Sequence, residues 1–487
     1  MNWRRSVWLV LGATLLFPPA GLILLWLRQG TKWWKKVLVS FPILIFCLVY
    51  VMLSLFAGIQ LNIIEPTGGM DGIMFTQSRY DQIPASREPV TVDATLVDEE
   101  FGAYWTQFRG PNRDGKYDQT PILTDWPEAG PPQLWKQPCG GGYSSFAIAN
   151  GIAYTIEQRG EQEFAVAYEL VSGREVWAHS WTANFFESLG GGGPRSTPTW
   201  DDGRVYVAGA TGELWCLDAE TGDVIWNKNI QENATNFYYG VSGSPLIVDD
   251  MLIVQPSGKE GASFIAFNKT NGEEIWSALE EKNEYASPVV VTLAGQRQIV
   301  SYTDKRYVGL KIEDGALLWD HPVQNPNAVH MVQPLLIDEN RVFHSASYGT
   351  GCEMFSVTQD NGVFKAERLW KNNRMKNKFA SSILHDGFIY GLDESIFSCM
   401  NPENGERVWK GGRYGYGQFL FASGHIVLIT ERGELVFMKA TPDGHQELAR
   451  VPAIEGKTWN APAMSDGFLL VRNAAEMACY DLRPAVE

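Results

Sequence analysis

Leu217-Asp218-Ala219-Glu220-Thr221-Gly222-Asp223-Val224-Ile225-Trp226 is the stretch whose reading decides the fold. Leu214-Trp215-Cys216 runs into it as a short strand. Asp218 supplies a side-chain acceptor at the start of a turn, and Gly222 a residue free to take positive φ at its end. Val224-Ile225-Trp226 opens a second strand, so the segment reads as a hairpin with a buried aromatic on its return arm.

The unit recurs. Gly is followed four places later by Trp at Gly173/Trp177, Gly222/Trp226, Gly272/Trp276, Gly315/Trp319 and Gly405/Trp409. Gly362 with Trp370 is a stretched copy, and in Gly444/Leu448 the Trp has become Leu. Copies lie roughly 40–50 residues apart, the period of four-stranded propeller blades. An opening motif keeps phase with the hairpin, best seen in Ser196-Thr197-Pro198-Thr199-Trp200-Asp201-Asp202-Gly203. Its Pro slot holds Phe146, Pro198, Pro245, Pro288, Pro334, Ser382, Phe419 and Pro462. Eight openings predict an all-β, eight-bladed β-propeller. The last copy stops at Cys479-Tyr480-Asp481-Leu482, while Pro132-Gln133-Leu134-Trp135-Lys136 has the look of its missing return strand. That N-terminal strand is expected to complete the last blade and close the ring, leaving no free sheet edge. The docking tryptophans are then Trp135, Trp177, Trp226, Trp276, Trp319, Trp370 and Trp409. Six places before each hairpin Gly stands Ala167, Cys216, Ala266, Gly309, Ser356, Cys399 or Met438, mostly small, as expected where blades approach closely.

Among 487 residues the net charge is -16, and no basic stripe is present, which argues against nucleic acid. Six cysteines without CxxC or an adjacent pair predict neither a disulfide framework nor a metal cluster. Seven histidines show no HExxH, and there is no GxSxG elbow and no P-loop.

Ahead of the repeats, residues 6–27 and 37–59 are apolar stretches long enough to cross a bilayer, the first interrupted by Pro18-Pro19. Between them Arg28 to Lys36 carries four basic residues and two Trp. The positive-inside rule puts that loop in the cytoplasm and the propeller on the far side. The expectation is a multi-pass protein of the cytoplasmic (inner) membrane, with a transmembrane helical hairpin preceding the propeller. The organisation reads as membrane anchor 1–60, linker 61–103, lead-in 104–131 and propeller 132–487. In the lead-in, Trp105-Thr106-Gln107-Phe108-Arg109-Gly110-Pro111-Asn112-Arg113-Asp114-Gly115 demands tight turns. Its aromatics are expected to plug one face of the ring; the alternative is a ligand loop carried by Arg109 and Arg113.

The hairpin Leu217 to Trp226, the opening motif with Pro and Asp-Gly, and the lead-in followed by Trp126-Pro127 resemble the pyrroloquinoline-quinone (PQQ)-type eight-bladed propellers of the bacterial cell envelope. The resemblance spans about residues 104–482. That group includes quinoprotein alcohol dehydrogenases and a non-enzymatic lipoprotein that assists outer-membrane-protein assembly. For the enzymes it implies PQQ and calcium in the central channel, and in many of them a disulfide between adjacent cysteines, which this sequence lacks.

Three places before each Pro slot the chain enters the innermost strand. Those residues are Tyr143, Arg195, Ser242, Tyr285, Met331, Phe379, Tyr416 and Trp459. Five are aromatic, one is basic and none is a carboxylate, so a calcium–quinone site would need acids from elsewhere. Tyr143, Arg195, Tyr285, Phe379, Tyr416 and Trp459 instead form a candidate recognition ring for a peptide or small polar ligand, against the plainer alternative that they fill a narrow channel. Gly190 to Gly193 beside Arg195 exposes backbone N–H groups suited to an anion. Lys371, Arg374, Lys376 and Lys378 read as a solvated basic patch. The sequence therefore favours a membrane-anchored, non-catalytic scaffold binding envelope proteins or a small ligand, with no cofactor. The alternative is a PQQ-dependent dehydrogenase using the channel with calcium.

Overall fold

The computed structural model describes residues 25–26, 32–56, 100–231, 238–256, 262–282, 284–323 and 329–484. The chain divides into two units, Met1–Thr76 and Gln77–Glu487.

In the first unit a helix runs over Trp33–Phe56, with Pro42 inside it. Lys35 and Lys36 lie in that helix and not in a loop between two spans. Nearly all of the first apolar stretch, 6–27, falls outside the described residues. The expected transmembrane hairpin and multi-pass topology are corrected: among the described residues no helix is long and apolar enough to cross a membrane. Apolar composition shows which segments shun water; it does not by itself establish that a segment crosses a bilayer.

The second unit is built of eight four-stranded antiparallel sheets in chain order. Blades 1 to 8 occupy residues 147–182, 199–229, 246–278, 289–322, 335–372, 383–411, 418–452 and 463–481. Blade 8 draws its fourth strand, Gln133–Pro138, from the N-terminal side of the propeller. Trp135 there stands opposite Cys479, and the Asp481 N–H donates to the Pro132 carbonyl at 2.8 Å.

Each return strand meets its neighbour at a bulge, and this fixes the Trp. Cys216 pairs with Trp226, Ala266 with Trp276 and Ala167 with Trp177, with the register shifting at the next residue. The small residues of the repeat are thus the cross-strand partners of the Trp, and their size lets the indole lie over its own sheet toward the next blade. The indole N–H then reaches a carbonyl of that next blade: Trp135 to Leu170 at 2.9 Å, Trp177 to Ala219 at 3.0 Å, Trp226 to Lys269 at 3.1 Å, Trp276 to Ile312 at 3.0 Å, Trp370 to Pro402 at 2.8 Å and Trp409 to Thr441 at 2.8 Å. Each of the first five rings lies on the hairpin Gly of that blade. A Cβ built on Gly272 (φ 71°) would sit 2.8 Å from Trp226 Cδ2, so glycine serves here both the left-handed turn and the indole.

Blade 5 breaks the pattern. Its last two strands are ten residues each, Gly351–Asp360 and Val363–Asn372. Trp370 pairs with Met354 instead of Ser356, and nothing lies within 4 Å of a Cβ built on Gly362. Trp319, the tryptophan that should dock there, still packs its ring against Phe355 of blade 5 with centroids 5.8 Å apart, but its N–H turns to its own blade and donates to Gln298 Oε1 at 2.6 Å. Leu448, in the Trp slot of blade 7, is exposed.

The lead-in clamps all eight blades. Trp105 O accepts from Ile148 N of blade 1, Thr106 O from Trp200 N of blade 2 and Gly115 O from Phe421 N of blade 7. Arg113 donates to Ser244 O (3.2 Å) and Pro245 O of blade 3 and to Pro288 O of blade 4 at 2.9 Å. Arg109 reaches Gln333 Oε1 just ahead of blade 5 and the Ser381 and Ser382 carbonyls at the start of blade 6. Gln119 Nε2 donates to Asp466 of blade 8 at 2.7 Å, and Lys116–Tyr117 adds a parallel fifth strand to blade 7. Trp105 is fully buried. Burial pulls the Arg113 guanidinium down to about 9 and Arg109 to about 10, a desolvation penalty that the ring of carbonyls offsets. These two arginines are fastenings inside the fold, not a ligand loop.

Candidate functional site at the channel mouth

Because the chain enters every innermost strand from the same end, the residues just before those strands converge. Tyr143, Arg195, Ser242, Tyr285, Met331, Phe379 and Trp459 all line one cavity of about 380 Å³. Tyr416 stands behind the lining, its ring 5.7 Å from Phe379 edge-on. Phe108 is the lead-in's contribution.

The aromatics form two runs. Tyr143 stacks on Trp459 with centroids 5.5 Å apart, and Trp459 lies 4.6 Å from Phe379. Tyr285 meets Tyr239 edge-on at 5.1 Å, and Tyr239 meets Tyr238 at 4.9 Å. Burial pushes the Tyr143 and Tyr348 hydroxyls up to about 12, so both remain neutral donors at ordinary pH.

Three cations punctuate the rings. Arg195 lies 4.5 Å over Phe185 and 5.4 Å over Tyr143. It donates to Glu187 Oε1 at 3.1 Å, to Gly191 O at 2.9 Å and to Gly193 O. Burial holds its pKa below the usual arginine value, with Glu187 opposing. Lys378 Nζ sits 3.9 Å over Tyr416 and 5.5 Å from both Tyr348 and Phe379. Lys457 Nζ sits 4.2 Å over Trp459 and donates to Gly190 O at 2.8 Å; burial lowers its pKa.

Two carboxylates border the site, and both are engaged. Glu187 accepts from Leu189 N at 2.7 Å and Gly190 N at 2.5 Å besides Arg195. The glycine-rich loop expected to hold an anion is therefore partly satisfied from within. Glu431 accepts from Trp459 Nε1 at 2.8 Å and Tyr416 N at 3.2 Å. The loop's own acid, eight residues before Arg195, was the signal for that internal pairing. Lys457 and Lys378 lie two and one residues before Trp459 and Phe379, readable only once the ring was known. The expected basic patch divides: Lys376 pairs with Asp393 at 2.7 Å, while Lys378 turns to the cavity.

Calcium requires six to eight oxygen ligands, several of them carboxylate. The one carboxylate lining this cavity is Glu187, already held by Arg195 and two N–H groups. Among the described residues no group of three or more His, Cys, Asp or Glu is placed to hold a metal ion. The donors do not fit the calcium–quinone arrangement, and no chemistry is derived through it. Cys139, Cys216, Cys352, Cys399 and Cys479 are all buried.

Fold and site together are those of an eight-bladed propeller with an aromatic, lysine-bearing cavity. The chain belongs to the PQQ_2 family, described as outer membrane protein assembly factor BamB, whose model matches residues 161–411. It is similar to the outer membrane protein assembly factor BamB of Yersinia pestis, 21% identical over 317 residues, which is 60% of this chain and 75% of that one. The solved structure of BamB from Moraxella catarrhalis matches with a TM-score of 0.51 and 14% identity, over 72% of this chain and 99% of that one. Quinohemoprotein alcohol dehydrogenase from Comamonas testosteroni matches with a TM-score of 0.55 and 12% identity, over 84% and 85%. At these identities the two structures bear on fold alone. The expected cytoplasmic-membrane placement meets a second correction here, since the matched relatives are named for assembly of outer-membrane proteins.

Proposed function

We propose that the protein is a non-catalytic interaction scaffold of the bacterial cell envelope, acting in outer-membrane-protein assembly, with envelope proteins as its partners. The observation that carries this reading is the cavity itself. Its aromatic rings and cations suit recognition, while its single lining carboxylate is committed to Arg195. Membership of the BamB family supports the same reading. Residues 132–487 act as the propeller, 104–131 as its clamp and 61–103 as a linker to the N-terminal segment 1–60. Pairing of Gln133–Pro138 with Glu476–Asp481 closes the ring.

The test is reconstitution of the purified protein with PQQ and calcium. No quinone-dependent alcohol oxidation is expected, and capture of envelope proteins by the same preparation is. Turnover of an alcohol at enzymatic rates overturns the proposal.

A further inference from the structure

We infer that the channel mouth receives an acidic peptide segment carrying apolar side chains, its carboxylates meeting Lys378 and Lys457 and its apolar groups the exposed rim. This deepens the scaffold reading and rests on it.

The charge argument comes first. Glu187 and Glu431 have their oxygens occupied by Arg195, an indole and backbone N–H groups. Among the described residues, Lys378 and Lys457 have no carboxylate in ion-pair contact; their neighbours are ring faces and the Gly190 carbonyl. A ring face attracts an ammonium and leaves its charge in place, and N–H donors likewise leave the charge of Glu431 in place; with Arg195 set against Glu187, and Glu431 acting on Lys457 across space, one positive charge remains in excess among these groups at the mouth. The chain as a whole is acidic, at -16, so an anion is drawn here by local charge. Screening over roughly 8–10 Å confines that attraction to the mouth.

The apolar argument sets the size of the ligand. Phe186 is 70% exposed, Leu189 67% and Tyr238 55%. All three lie on the loops leading into blades 2 and 3, beside Glu187 and Tyr239 of the cavity wall. Ser188 and Tyr238 hydroxyls join the two loops at 2.8 Å. A cavity of about 380 Å³ lies near the lower end of the ligand-pocket range, so a ligand that also covers this rim extends beyond a small molecule.

The experiment measures fluorescence anisotropy of a dye-labelled, N-acetylated hexapeptide alternating phenylalanine and aspartate, titrated with the full-length chain. The control peptide has asparagine for aspartate. The acidic peptide is expected to bind about tenfold more tightly, with an advantage that falls as salt rises. That advantage should vanish in Lys378→Glu/Lys457→Glu and survive in Lys378→Arg/Lys457→Arg, with all variants melting as the parent does. Equal affinity for the two peptides, or unchanged binding by the glutamate variant, overturns the inference. So does complete displacement by equimolar free aspartate or PQQ, which would mark a small-anion pocket. Absence of peptide binding while envelope proteins are still captured overturns this inference alone. Absence of both overturns the scaffold reading beneath it.

Discussion

Gly272→Ala and Gly362→Ala form a matched pair that isolates the interblade contact. Both glycines end a hairpin turn in the left-handed region, at φ 71° and 81°. Alanine at either site costs about 1–2 kcal/mol for that conformation alone. At Gly362 nothing lies within 4 Å of the added Cβ, so the cost stops there. At Gly272 the Cβ falls 2.8 Å from Trp226 Cδ2 and 2.9 Å from Cε3. The indole cannot yield without loosening its 3.1 Å hydrogen bond to Lys269 O, and overpacking of this kind adds about 1–3 kcal/mol. Gly272→Ala should therefore destabilise by about 2–5 kcal/mol and Gly362→Ala by about 1–2. Guanidinium unfolding followed by tryptophan fluorescence measures both, provided the slopes agree. Equal losses, within about 0.5 kcal/mol of each other, would refute the argument that Trp226 is seated on Gly272.

Two further perturbations probe the clamp and a buried acid. Arg113→Ala takes a donor from the Ser244 and Pro288 carbonyls and leaves Pro245 O with the Thr199 hydroxyl alone, and should cost about 2–4 kcal/mol, with faster proteolysis within residues 104–119; unchanged unfolding and proteolysis would show the clamp to be dispensable. Glu163, fully buried beside Ala210 N and Trp181 Nε1, is raised by burial from 4.5 to about 7. The folded state keeps a proton there that the unfolded chain releases, so its contribution is present below about pH 4.5 and is lost as pH rises through 7. That displacement corresponds to about 3 kcal/mol. Glu163→Gln should shrink the stability difference between pH 5 and pH 8 by about 2.5 kcal/mol, the part of that displacement lying within this pH window, and an unaltered pH slope would contradict it.

The blade count was legible because each blade repeats one mechanical part, a glycine turn followed by an indole. The alternating small residues were legible too, although their role as cross-strand partners needed the register of Cys216 with Trp226. Blade 5 was readable only as a stretched copy. That the Trp319 N–H would exchange the interblade carbonyl for Gln298 depends on the neighbouring hairpin's length, which is not a local property. The channel ring followed from the repeat because it occupies one phase of the period. Its two lysines did not, since Lys378 and Lys457 stand at different phases and converge only through loop geometry. Arg109 and Arg113 invited a ligand reading because charge is visible in sequence and their carbonyl partners on other blades are not. The N-terminal spans were expected from apolarity and flanking charge, and among the described residues no helix is long and apolar enough to cross a membrane.

Photo-crosslinking from the mouth is the most direct measurement of where partners bind. A photoreactive residue at Tyr348, which lines the cavity, is compared in intact cells with one at Val363 on the outer hairpin of blade 5. Adducts with envelope proteins should form from Tyr348, be competed by the acidic peptide, and be absent from Val363. Adducts from Val363 alone, or from Tyr348 but indifferent to the peptide, would contradict recognition through the channel mouth.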